Sequence, residues 1–122
     1  MNTPITALLI STDTSRPVEV LSITDPTEGI KFLVGGWFET ITPHGLDQDW
    51  WLNETGKLEG LAPNARATLL AHHHQAIAPH DYIAGDLVIT GGPDDHGITL
   101  GLPTDQAADL IRLLPETSWP RP

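Results

Sequence analysis

The chain is expected to fold as an α+β domain, a small and mostly antiparallel sheet with about three helices packed mainly on one face. Short apolar runs such as Ile5–Ser11 and Val18–Thr24 are joined by polar links of hairpin length. Helix-start signals stand at Asp25-Pro26, Pro63-Asn64 and Thr104, and the strands between them come without regular βαβ alternation. With 11 Gly, 11 Pro and 39% hydrophobic residues among 122, the composition is that of a turn-rich globular chain. Residues 1–114 read as one domain, large enough for its own core, and 115–122 as a C-terminal tail.

Ile5–Ser11 is the first strand and Val18–Thr24 the second, with Val18, Val20 and Ser22 assigned to one face and Thr12–Pro17 as the link. Asp25 then caps a helix whose first position suits Pro26, while Glu28 is placed to reach back. Ile30, Phe32, Leu33 and Val34 supply its apolar face, and Gly35-Gly36 ends it. Trp37–Thr42 and Asp49–Asn53 are the next strands, followed by the turn Glu54-Thr55-Gly56-Lys57. Asn64 caps a second helix running to His74, anchored by Leu69 and Leu70. Leu87–Thr90 is a strand and Gly91–Gly97 a long turn from which Ile98–Leu100 pairs back. Thr104 caps a last helix, where Ala107, Leu110, Ile111 and Leu114 recur at helical spacing and Pro115 stops the run. Trp119 in the tail is a candidate to pack on the body. Gly36 and Gly85 are expected where a side chain would be awkward.

The middle of the chain carries spaced polar joints: Val34-Gly35-Gly36-Trp37-Phe38-Glu39, Trp51-Leu52-Asn53-Glu54-Thr55-Gly56-Lys57, Gly60-Leu61-Ala62-Pro63-Asn64-Ala65-Arg66-Ala67-Thr68 and Ile83-Ala84-Gly85-Asp86-Leu87-Val88-Ile89-Thr90-Gly91. In these elements the chain resembles the family called domain of unknown function 3846, small proteins of actinobacteria, their phages and plasmids. The resemblance spans residues 5–114. It implies a mobile-element setting and no particular activity, so function must be read from the residues.

Sixteen acidic residues against six basic ones give a net charge of −10. The basic residues Arg16, Lys31, Lys57, Arg66, Arg112 and Arg121 are scattered, so no counterion-releasing cluster is present and no direct nucleic-acid binding is expected. An acidic surface suits solubility, a basic protein partner or a cation. The absence of cysteine excludes disulfides, thiolate metal sites and a catalytic thiol. No apolar run approaches the roughly 18 residues of a membrane span, and the first residues lack signal-peptide character, so a cytoplasmic address is expected.

His72-His73-His74, with His80, Asp81 and Asp86 nearby, suggests metal ligation at first sight. Consecutive helical side chains diverge by about 100°, however, so the triplet cannot serve one ion and reads as a polar helix end. Asp94-Asp95-His96 is framed by glycines and reads as a turn without the spaced oxygen ligands of a calcium loop. Neither a metal nor a cofactor is expected. Serines 11, 15, 22 and 118 lie outside any nucleophile elbow, and no phosphate loop is present.

The candidate ligand- or partner-binding residues are Trp50, Trp51, Asn53, Glu54, Asn64 and Arg66. Asn64 can cap its helix and Arg66 can bridge to Glu54 or Glu39, which would make them structural. Alternatively Asn53, Glu54, Asn64 and Arg66 converge beside Trp37 or Trp51 in one polar pocket. Adjacent strand residues face opposite ways, so one of Trp50 and Trp51 enters the core while the other is free to anchor a partner.

The leading expectation is a small acidic binding or regulatory module of mobile-element type, acting through protein–protein contact without catalysis. One alternative is an anti-restriction or anti-defence protein imitating DNA charge. Another is a small-ligand binder or enzyme using Asn53, Glu54, Asn64 and Arg66, joined by His44 or His80.

Overall fold

The computed structural model describes residues 3–114, and the tail with Trp119 lies outside the described residues. The element order is β1 (Ile5–Ile10), β2 (Glu19–Ile23), α1 (Pro26–Val34), β3 (Phe38–Ile41), β4 (Gln48–Asn53), α2 (Ala65–His73), β5 (Leu87–Gly91) and α3 (Thr104–Leu113). The five strands form one sheet in the order β2-β1-β5-β4-β3, and every pairing is antiparallel. The architecture is therefore α+β, as the alternation of hairpins and helices predicts.

Strand alternation sorts the interior into two layers. The register Val20↔Leu8, Leu8↔Ile89, Trp50↔Ile89 and Ile41↔Trp50 lays one row across all five strands. Leu8, Ile89 and Trp50 in that row belong to a core with Ala67, Leu70 and Ala71 of α2 and Ala107 and Leu110 of α3. The neighbouring row, Leu9, Val88 and Trp51, faces the other way. Leu9 and Val88 are buried there with Ile30 and Val34 of α1, and Trp51 packs against them. The helices are thus divided between the two faces: α2 and α3 on one, α1 on the other. Both faces of the central strands are covered, which is why residues 7–10 of β1 and 87–89 of β5 read as unbroken apolar runs.

The caps follow the sequence. Asp25 takes the Glu28 N–H at the start of α1, Pro26 occupies the first turn, and Gly35 ends the helix in the left-handed region with φ 81°. Asn64 caps α2, and α2 ends at His73 with His74 as its C-cap. For α3 the expected cap is displaced by one residue: Pro103 holds the cap position without a side-chain bond and Thr104 is already helical. Ile98–Leu100 pairs back only as a bridge between Pro93 and Thr99. Gly36 and Gly85 have φ of 155° and 85°, and a Cβ on Gly85 would stand 3.0 Å from Leu61.

Several apolar positions point outward. Phe32 is 85% exposed, and Val20, Leu69 and Ile111 are also open to solvent. Val20 and Ser22 of β2 share a face as expected, opposite Leu8 and Thr6, and Val18 packs against the core on that side, while Leu21 and Ile23 turn toward α1, following their partners Ala7 and Ile5. Leu70 alone of the Leu69-Leu70 pair anchors α2, since successive helical residues diverge.

Candidate functional site

The residues singled out from the sequence fall into separate places. Trp50 has no exposed surface; its indole N–H donates to Gln48 Oε1 at 3.0 Å and its ring meets His74 edge-on. No partner can reach it in this structure. Trp51 does face the other layer, but it is half-buried, donates to Thr90 Oγ1 at 2.9 Å and packs edge-on against Phe38. Among the described residues the exposed large aromatics lie elsewhere, at Phe32, at Tyr82 and at Trp37, which is 58% exposed with the Lys31 ammonium 4.0 Å above its ring.

Asn53, Asn64 and Arg66 tie backbone together. Asn53 donates its amide to Val34 O at the end of α1 and accepts from the Thr55 N–H and hydroxyl. Asn64 accepts from the Ala67 N–H while its amide donates to Ile10 O and Gly85 O, joining α2 to β1 and to the approach to β5. Arg66 is fully buried and donates to the carbonyls of Ser11, Asp13 and Arg16, holding the β1–β2 link. A guanidinium suits this work because its fixed fork of donors can satisfy several carbonyls that would otherwise be buried unpaired. These three buried groups are occupied by the fold, and the predicted four-residue pocket does not assemble: Asn53 and Glu54 border a cleft that neither Asn64 nor Arg66 lines.

That cleft, of about 530 Å³, opens where the sheet face carrying α2 and α3 reaches β3. Ile41 of β3 and Leu52 of β4 form part of its floor, with Ala76, Ile77 and Ile83 from the segments around the α2–β5 connection as walls. Glu39, Glu54, Lys57, Asp81 and Tyr82 form the lip. Lys57 is hydrogen-bonded to Asp81 and lies 4.7 Å from the centre of the Tyr82 ring. The bond to Asp81 raises the Lys57 pKa, and the bonds from Lys57 and from the Tyr82 N–H lower that of Asp81. Both groups are therefore charged at neutral pH, and Lys57 cannot supply the neutral amine that a nucleophile requires. Asp81 also sits beside α2, where its carbonyl meets His72 Nε2 at 2.9 Å. The lip residues Lys57 and Tyr82 carried no functional signal in the sequence beyond the position of Lys57 at the end of the Asn53–Lys57 turn, because 24 residues separate Lys57 from its Asp81 partner.

A second concavity, of about 430 Å³, lies between β2 and α1, with Leu21, Ile23, Phe32 and Leu33 as apolar lining and Asp25 and Glu28 at its margin. β2 is an edge strand, paired only with β1. Among the described residues no group of three or more His, Asp or Glu side chains is placed to hold a metal ion, and no helix is long and apolar enough to cross a membrane. His74 is set against Trp50, and burial together with the neighbouring His73 lowers its pKa.

No match to the chain is found among curated proteins or among solved structures. Residues 5–115 match the family model described as "Domain of unknown function (DUF3846)". The match covers the whole sheet, its three helices and both concavities, and the chain belongs to that family.

Proposed function

We propose that the protein is a small acidic binding module of mobile-element type that acts in the cytoplasm through protein–protein contact and without catalysis. The observation that carries this reading is Phe32, 85% exposed on α1 beside the open edge of β2. An apolar ring left in water next to unpaired strand backbone suits addition of an extended partner segment, whose main chain would pair with β2 and whose side chains would enter the groove. Glu28 and Asp25 at the groove margin, and the net charge of −10, favour a partner that alternates apolar and basic residues.

The test is capture from host lysate, followed by titration of an alternating Lys/Val peptide as a defined probe. Phe32→Ser should leave the melting temperature nearly unchanged and weaken peptide binding by roughly tenfold or more, as for a buried hot-spot aromatic. Raising salt should slow association with less effect on dissociation. Equal peptide binding by the wild type and Phe32→Ser would remove the groove from consideration.

A further inference from the structure

We infer that the cleft between β3 and the segment following α2 is a binding site for a small organic cation, an amine carried on an apolar stem. This site lies on the α2/α3 face of the sheet, opposite the α1 groove, and rests on no part of the docking reading. Its volume of about 530 Å³ is that of a small-molecule site. Ile41 and Leu52 in the floor and Ile77 and Ile83 in the walls offer an apolar lining for the stem.

The sign of the charge follows from the lip. Glu39, Glu54 and Asp81 place carboxylates there against the single ammonium of Lys57. Lys57 and Asp81 neutralise one another, which leaves Glu39 and Glu54, neither of which forms an ion pair among the described residues. An incoming carboxylate or phosphate would meet those two charges with the only ammonium already engaged. An incoming ammonium meets two carboxylates in a cleft that Tyr82 also lines. The apolar lining then distinguishes an alkylammonium from a metal cation, which would prefer a fully polar oxygen cage.

The experiment titrates isotope-labelled full-length protein with hexylamine, hexanoate and hexanol while following backbone amide resonances. Hexylamine should give saturable shifts centred on Glu39, Glu54, Lys57 and Tyr82, hexanoate none, and hexanol weaker shifts at the same place. The Glu39→Gln/Glu54→Gln double variant should weaken hexylamine binding by roughly three- to tenfold, the range for two partly solvated ion pairs. Lys57→Met should strengthen it, because Asp81 then adds an uncompensated charge. Hexanoate binding as tightly as hexylamine, shifts centred elsewhere, no saturable shift, or weaker binding by Lys57→Met would each overturn the assignment. If the double variant loses its dispersed spectrum, the Lys57→Met titration decides alone.

Discussion

Asp49 is a carboxylic acid placed in a buried strand, with 9% of its surface exposed and one accepted hydrogen bond, from Thr42 Oγ1 at 3.3 Å. Burial raises its pKa above the ordinary 3.8, the Thr42 hydroxyl opposes that rise and Asp47 adds to it. The folded carboxyl therefore holds its proton more tightly than the unfolded one. Its favourable contribution is complete below the unfolded value and is lost as pH rises through the folded value. Asp49→Asn keeps the acceptor for Thr42 and cannot ionise, so it should raise the melting temperature at neutral pH, and the gain should fade in acid. A lower melting temperature at neutral pH would mean that the ionised carboxylate is used by the fold. Arg66 is the contrasting case: its charge is also buried, yet it is held by carbonyls that only a cationic donor fork could gather.

Between elements, the buried asparagines act as joints. Asn64 accepts the Ala67 N–H and donates to Ile10 O and Gly85 O, so Asn64→Ala removes a cap and leaves two buried carbonyls short of a donor. A cap alone is worth about 0.5–2 kcal/mol, and each buried polar group left without its partner adds about 1–3 kcal/mol. Thermal or urea unfolding should show a loss of at least about 2.5 kcal/mol, the low end of those contributions taken together. A loss under about 0.5 kcal/mol would mean that water replaces the amide.

The caps at Asp25 and Asn64 were legible in the sequence because capping is local: side chain and N–H lie three residues apart. The strands were legible for the same reason, since alternation and turn residues act over a few positions. The site was not. Whether Asn53 and Arg66 meet depends on which strands lie side by side, and that is set by pairings such as Leu8↔Ile89, far apart in sequence. The adjacency of Trp50 and Trp51 correctly implied opposite faces, but with helices on both faces neither direction leads to open solvent.

At the scale of the molecule, the last strand of the sequence lies in the middle of the sheet. β5 hydrogen-bonds to β1 on one side and β4 on the other, and Leu87, Val88 and Ile89 are without exposed surface. The pairs β1–β2 and β3–β4 share no direct strand contact, so β5 is what makes them one sheet. A fragment ending before Leu87 should show no cooperative thermal transition by circular dichroism, and the separately made segment 81–114 should restore one when mixed with it. Cooperative melting of the fragment alone would show that the two hairpins hold each other through the helices.

A central strand that arrives late also sets a timetable for synthesis. Ile10 leaves the ribosome long before Leu87 is made, and at about 5–20 residues per second the delay is roughly 4–15 s. During that interval β1, and from its own synthesis onward β4, present an unpaired edge flanked by residues meant for the interior, Leu8 and Ile10 on one and Trp50 and Leu52 on the other. Such edges are templates for pairing with the wrong chain. The nascent protein is therefore most exposed to aggregation just before β5 emerges, and slowing translation between α2 and β5 should lower its soluble yield more than the same delay placed after Gly91.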